Sequence, residues 1–156
     1  LSHGRIVTIL SAGNDAAKSF TVVGTDVNGD AQTESITGAN AGTATGTKYF
    51  LTVASITAVG NPAGNVSAGV NASAADVIFA ARSRLKGIYL TSTATAGTVD
   101  FLNTSPSGTS IMGLSSVGDA DATRDVVIPE EGVVFSNGIY VQYTVSSFLT
   151  MTVFHA

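Results

Sequence analysis

The sequence contains no cysteine, no tryptophan and only three prolines in 156 residues. Without cysteine, the chain can have no disulfide framework, thiol nucleophile or zinc–thiolate site. Charged residues make up 12% of the chain, where a typical soluble domain has about 25%. This scarcity favours a protein whose surface is partly covered by copies of itself or by partners, or one that is wetted by Ser and Thr hydroxyls.

Basic residues are also few, with seven Lys and Arg against eleven Asp and Glu, and a formal net charge of −4. They are scattered along the chain, whereas a nucleic-acid-binding domain concentrates Lys and Arg on one face. No apolar run approaches the roughly 20 residues of a membrane-spanning helix. We therefore expect neither nucleic acid nor membrane as a partner.

The sequence is rich in short β-prone stretches with period-2 alternation, separated by Gly, Asn, Asp and Ser. The predicted strands cover residues 5–11, 19–25, 31–37, 47–59 (one bent strand or two), 65–70, 86–92, 98–103, 110–115, 124–128, 133–135, 139–145 and 148–155. Short strands at a spacing of about 8–12 residues are typical of antiparallel sandwiches and jelly rolls. The prediction is an all-β fold, an antiparallel β-sandwich or jelly-roll-like architecture.

The chain divides into similar halves. We predict an N-terminal β module at residues 1–71, a connecting segment at 72–86 and a C-terminal β module at 87–156, with a single sandwich formed by both modules as the alternative. In the connecting segment a helical turn competes with a strand at Val77–Phe79. Residues 38–46, composed of Gly, Ala, Thr and Asn, are predicted to form a loop.

The last two strands, 139–145 and 148–155, are predicted to pair with each other across Ser146 and Ser147. Much of the aromatic volume of the core is expected in this pair. The residues concerned are Tyr140, Tyr143, Phe148 and Phe154.

Asn28 and Gly29 are predicted to be structural turn residues of a hairpin, because an Asn-Gly pair tolerates the two positive φ angles of a type I′ turn. Asp26, Asn28 and Asp30 also place oxygen ligands at alternate positions, as calcium loops do. A calcium loop, however, has its Gly after the third ligand and a bidentate Glu much further along. The turn is therefore favoured, and calcium is the weaker alternative.

A second weak calcium candidate is formed by Asp119 and Asp121, in the densest acidic cluster of the chain, where a solvated loop is the ordinary interpretation. The two histidines, His3 and His155, lie at opposite ends of the chain and no nucleophile motif accompanies them. No catalytic residue, cofactor or cofactor-binding residue is predicted. A small hydrolase acting through Asp119, Asp121 or Glu131 is kept as the hypothesis from another class.

Two stretches carry turn and strand motifs in a fixed order. In Val27–Thr57 an N-G turn is followed by TESITG, a Gly/Ala loop and KYFLTVASI. In Ile128–Thr144 the sequence IPEEGVVFSNGIYVQYT has the pattern P-x-x-G-V-x-F-x-x-G-I-Y-V, and the chain ends in TVFHA (Thr152–Ala156). Both stretches resemble small structural proteins of tailed bacteriophages, and this resemblance implies a non-enzymatic virion protein with no catalytic residues to carry over.

The leading expectation is a capsid decoration (cement) protein on the particle surface, assembled in the cytoplasm of the bacterial host. It would be a homo-oligomer, with a trimer favoured, in contact with virion proteins such as the major capsid protein. The alternative is a tail, collar or fibre module that binds a host-surface glycan. Candidate lining residues for that glycan are the four tyrosines Tyr49, Tyr89, Tyr140 and Tyr143, although packing in the core is favoured for most of them.

Overall fold

The computed structural model describes residues 1–156 and confirms the all-β prediction, with thirteen strands and one short 3-10 turn. The strands are β1 (Gly4–Ser11), β2 (Ser19–Thr25), β3 (Ala31–Thr37), β4 (Thr43–Phe50), β5 (Thr52–Val59), β6 (Val66–Phe79), β7 (Ser83–Ser92), β8 (Gly97–Asn103), β9 (Thr109–Ser116), β10 (Thr123–Val127), β11 (Val133–Phe135), β12 (Ile139–Thr144) and β13 (Phe148–His155). The chain forms two compact units, Leu1–Asn71 and Ala72–Ala156. Each is described by itself.

Unit 1 (Leu1–Asn71) has two small antiparallel sheets with an apolar core. One contains β4, β1 and the first part of β6, and the other has the order β3-β2-β5. Alternation along β2 turns Phe20 and Val22 into the core and leaves Thr21 and Val23 on the outer side. The buried core residues are Val7, Ile9, Phe20, Val22, Ile36 and Phe50.

Unit 2 (Ala72–Ala156) also has two sheets. The first has the order β6-β12-β8-β9, with β6 contributing its second part. The second is built on β7: β13 and β10 both pair with its residues 87–91, so they lie on opposite edges of β7, and β11 pairs with its beginning. Its buried core residues are Leu85, Ile88, Leu90, Val99, Phe101, Phe135, Ile139 and Val141, drawn from both sheets. This arrangement is that of an antiparallel sandwich, while jelly-roll connectivity stays a prediction.

Residues 72–86 differ from the predicted connecting segment. They continue β6 as far as Phe79 and begin β7 at Ser83, so the helical alternative is wrong. The reason is long-range pairing: the backbone of this stretch is matched by β12, with Ala75 opposite Gln142 and Ala74 opposite Tyr143. Ala74 and Ala75 are fully buried, so small side chains are what this part of the core accepts.

The predicted loop at residues 38–46 is too long, because β4 already begins at Thr43. Ala44 and Thr45 pair with Ile9 and Thr8 of β1, and Ala44 packs against the core of unit 1. Pairing with β1 thus overrides the low β-propensity of these small residues. Residues 47–59 form two strands rather than one, because the chain bends at Leu51 between β4 and β5.

The predicted pairing of the last two strands is wrong. β12 lies between β6 and β8, whereas β13 pairs with β7 in the other sheet of unit 2. The connection is a 3-10 turn, Val145–Ser147, and the buried Ser147 donates its hydroxyl to the Ala96 carbonyl at 3.0 Å. This connection has no Gly or Asn, the residues that would allow a tight hairpin turn, and the chain crosses to the other sheet instead.

The aromatic core is correspondingly different from the prediction. The fully buried aromatic side chains are Phe20, Phe50, Phe101 and Phe135, and Tyr140 is buried as expected. Phe154 is 53% exposed, because strand alternation places Met151 and Val153 on the core side of β13 and Phe154 on the other.

Candidate functional site

The first group of predicted site residues lies in the turn between β2 and β3. The Gly29 amide donates to the Asp26 carbonyl at 3.1 Å, and the Asp26 amide donates to the Asp30 carbonyl at 2.9 Å. Gly29 has φ +87°, but Asn28 is not among the residues with positive φ. The turn is therefore not type I′. It is a type I arrangement over Asp26–Gly29 followed by a left-handed glycine, a common hairpin solution.

The carboxylate of Asp26 stabilises this turn by accepting hydrogen bonds from its backbone. Its Oδ1 accepts the backbone amides of Asn28 and Asp30, both at 2.9 Å. An Asp side chain bound to amides two and four residues ahead is an Asx-type turn. Asp26, Asn28 and Asp30 are thus brought together by backbone geometry, and no group of three or more His, Asp or Glu side chains is arranged to hold a metal ion.

The second calcium candidate is a loop fixed by its backbone. The Ser92 hydroxyl donates to the Asp119 carbonyl at 2.9 Å, and the Asp121 amide donates to the Ser92 carbonyl at 3.0 Å. Both aspartate side chains are exposed. The loop therefore closes over the end of β7 through main-chain contacts, as a solvated loop does.

The acidic residues of the hydrolase hypothesis lie at opposite ends of β7. Asp121 contacts Ser92 at the end of the strand, whereas Glu131 lies beside Arg84 near its start, with a carboxylate–guanidinium distance of 3.8 Å. Eight residues of extended strand span about 25 Å. Asp121 and Glu131 are therefore too far apart to act on one substrate bond.

His155 makes a contact that the sequence did not indicate. Its Nδ1 lies 3.3 Å from the Ser83 hydroxyl, and its ring packs on Phe79 with centroids 5.1 Å apart. Ser83 is buried and donates its hydroxyl hydrogen to the Ala156 carbonyl at 3.0 Å. The contact thus fastens the end of β13 to the start of β7.

The predicted glycan-lining tyrosines do not share a surface. Tyr49 and Tyr140 are each only 5% exposed, so they are core residues, the favoured alternative, and do not line a glycan site. Tyr143 is half-buried, and its hydroxyl donates to the Asp76 carboxylate at 3.0 Å. Tyr89 is the one that presents its ring, at 41% exposure.

Tyr89 belongs to a surface that sequence reasoning missed, the outer face of the β7 sheet, here called the β7 face. On it Val127 and Phe154 both pair with Gly87, one from each side. A Cβ atom on Gly87 would lie 3.5 Å from the Phe154 ring, which shows that the ring leans over the glycine. Val127 is 77% exposed. The β7 face therefore carries a cross-strand row of apolar side chains in contact with solvent.

Unit 1 presents a different surface on its β3-β2-β5 sheet, here called the hydroxyl face. Residues paired directly across strands point to the same side. Nine of the outward positions are Ser or Thr: Ser19, Thr21, Thr25, Thr33, Ser35, Thr37, Thr52, Ser55 and Thr57. These side chains offer hydrogen-bond donors and acceptors without charge.

Unit 1 also contains an apolar groove of about 470 Å³, lined by Leu1, Val7, Val53, Ile56, Ala68, Gly69 and Val70. Its lining has no ionisable side chain, so the groove offers shape and apolar contact rather than acid–base chemistry.

No helix in this chain has the length and the apolar character that a membrane-spanning helix needs. No protein-family model, no curated protein and no solved structure matches this chain.

Proposed function

We propose that this chain is a structural protein of a tailed bacteriophage particle, and most directly a capsid decoration protein that stabilises the shell by protein–protein contacts. The observation that carries the proposal is the β7 face, where two large apolar side chains are exposed. They are Val127 of β10 and Phe154 of the uncharged edge strand β13. Exposed apolar groups that form a continuous patch mark interaction sites. Both halves of the sequence resemble phage structural proteins, and this resemblance supports a phage particle as the partner of the β7 face.

The physical mechanism is linkage. A protein that binds the assembled shell, and not the separated shell subunits, stabilises the assembled state by RT ln(1 + L/Kd) for each site, where L is the free concentration of the protein. Small β units suit this task because they present flat sheets and strand edges to a neighbour, and their hydroxyl and apolar surfaces need no counterion. The low charge of the chain is consistent with surfaces that become covered.

The test is to strip the protein from particles, or assemble shells without it, and compare their heat resistance before and after the purified chain is added back. The proposal expects saturable binding at regularly repeated sites on the shell and a higher disruption temperature. Unaltered shell stability after the chain is added back would end the proposal.

Two matched variants show which surface makes the contact. Val127→Asp places a charge on the β7 face and should weaken shell binding, because the carboxylate would lose its water when the face is covered. Ser35→Asp places the same charge on the hydroxyl face of unit 1 and should leave shell binding unchanged. If Val127→Asp and Ser35→Asp bind the shell with the same affinity, the β7 face is not the contact surface.

A second candidate, a tail or fibre module that binds a host-surface glycan, is favoured by one observation. On the β7 face, Tyr89 pairs with Asp125 on one side and with Thr152 on the other. An exposed aromatic ring flanked by a carboxylate and a hydroxyl can stack on a sugar and hydrogen-bond its hydroxyl groups. Glycan-array binding that is lost in Tyr89→Ala and kept in Tyr143→Phe would favour this candidate over the decoration protein.

A further inference from the structure

One edge of β13 is left without a neighbouring strand. β13 pairs with β7 along one edge and with no other strand of this chain. An edge strand presents unpaired backbone amides and carbonyls, and natural proteins usually protect such an edge with charged side chains, proline or short length. β13 is eight residues long, and its sequence FLTMTVFH contains no Lys, Arg, Asp, Glu or Pro. It is an unprotected edge.

Other edge strands of unit 2 and unit 1 are better protected or less apolar. β10 carries Arg124 and Asp125, and β3 carries Glu34. β5 and β9 are uncharged as well, but their exposed large side chains are aliphatic. β13 alone among these edges exposes an aromatic ring, Phe154, together with Leu149.

The backbone groups that face outward from β13 follow from its pairing. Ala156 exchanges both backbone hydrogen bonds with Arg84, at 3.0 and 2.7 Å. In an antiparallel ladder every second residue points its amide and carbonyl to the same neighbour. The irregularity after Phe154 places its additional residue on β7, so the alternation along β13 is unbroken from Thr150 to Ala156. Met151 and Val153 therefore point their backbone groups to the free edge.

We propose that β13 pairs antiparallel with β13 of a second copy of this chain, about a twofold axis at Thr152. Centring the pair on Thr152 overlaps the whole stretch that pairs with β7, which is β13 together with Ala156. It also sets Met151 opposite Val153 of the second copy, and these are the residues whose amides and carbonyls are free to form the ladder. The inference rests on the proposed function only in that an assembly subunit needs a contact of this kind.

The side chains fit the same register. Met151 and Val153 both pack toward the core of unit 2, so opposing them extends an apolar surface across the axis. At each end of the pair lies His155, whose ring packs on the exposed Phe79. No charged side chain of β13 meets its own copy. The strand is therefore complementary to itself.

A contact of this type is isologous, and it closes after two copies. The trimer favoured from the sequence would have to use other surfaces. A β13 pair would instead join two β7 sheets into one continuous sheet, in which Phe154 lies opposite Thr150 of the second copy.

Cross-linking tests the register directly, because the chain has no cysteine of its own. Thr152 points its backbone groups toward β7, so Thr152 and its symmetry copy form a non-hydrogen-bonded pair with Cα atoms about 4.5 Å apart. That distance suits a disulfide. In Thr150→Cys, the matched control, the two thiols would be offset by four residues, about 13 Å along the strands.

The experiment oxidises each variant of the full chain with oxidised glutathione, which takes up the two electrons and two protons lost by the thiol pair. We expect Thr152→Cys to become a covalent dimer with twice the 15.7 kDa mass of the chain, and Thr150→Cys to stay monomeric. Circular dichroism checks that both variants keep the wild-type fold. Equal cross-linking of both variants, or of neither, would overturn the inference.

A charged variant tests the same self-contact by weakening it. Thr152→Lys places two like charges against each other at the axis, and the exposed position should leave the fold intact. We expect its self-association to weaken at least tenfold. If the chain binds shells but Thr152→Cys does not cross-link, the β13 contact is refuted and the proposed function stands. If Thr152→Cys cross-links but the chain does not bind shells, the proposed function is refuted and the β13 contact stands.

Discussion

The two units of this chain are built in a similar way but present different surfaces. Each has two antiparallel sheets with a core between them. The β3-β2-β5 sheet of unit 1 carries nine Ser and Thr side chains on its hydroxyl face, together with the exposed Val23 and Val59, whereas the β7 face of unit 2 exposes Val127, Tyr89 and Phe154. The two surfaces therefore differ chiefly in the exposed aromatic rings, which only the β7 face carries.

The difference predicts which unit would contact neighbouring chains in the proposed assembly. The exposed large side chains of unit 1 are Leu and Val, and all the exposed aromatic rings, Phe79, Tyr89 and Phe154, belong to unit 2. Aromatic side chains are enriched at protein interfaces because they bury a large area at low entropic cost. We therefore expect unit 2 to make the tighter contacts.

The sharpest test of this comparison is a pair of phenylalanines in unit 2. Phe101 is fully buried, so Phe101→Ala should lower the free energy of unfolding by about 3–5 kcal/mol. Phe154→Ala should lower it by less than about 1 kcal/mol, because the ring already contacts solvent. Urea denaturation followed by circular dichroism measures both. Equal losses would mean that Phe154 is a core residue and not part of a contact surface.

The next largest effect concerns the close backbone approach inside unit 1. A Cβ atom on Gly24 would lie 1.9 Å from the Thr52 carbonyl oxygen of β5, so Gly24→Ala must push the two strands apart, at a cost of about 2–3 kcal/mol. Gly42 is the matched control, since its added Cβ would meet nothing closer than 3.7 Å. Thermal melts should show a large loss for the first and almost none for the second. A Gly24→Ala protein as stable as wild type would contradict the described register of β2 and β5.

The smallest effect is expected at the turn of unit 1. Gly29 has φ +87° and open space around its missing side chain, so the cost of Gly29→Val is that of the backbone alone, about 1–2 kcal/mol. Gly29→Asn should cost less, because Asn tolerates the left-handed conformation. The order of melting temperatures, wild type above Asn above Val, checks this, and an unchanged Val variant would show that the turn differs from the one described.

Local sequence patterns predicted the strands well where turn residues bound them. β2, β3 and β13 have the predicted limits, because alternation defines their faces and Gly, Asn, Asp or Ser mark their ends. The start of β4 and the length of β6 were missed, since small residues such as Ala44 and Ala75 become strand only when a distant strand pairs with them.

The surfaces were harder to predict than the strands. Alternation shows that Tyr49 and Phe154 lie on one side of a strand or the other, but it does not show which side another sheet covers. The structure buries Tyr49, a candidate for glycan binding, and exposes Phe154, which was expected in the core. In the same way, no local signal shows that β12 and β13, neighbours in sequence, belong to different sheets.

The central claim, that these sheets exist to contact neighbouring chains, is tested most directly by sedimentation velocity of the purified chain over a wide range of concentrations. The account predicts a reversible increase in mass above the 15.7 kDa of the single chain as the concentration rises, and a loss of this increase in Thr152→Lys. A single species of 15.7 kDa at every concentration would contradict it.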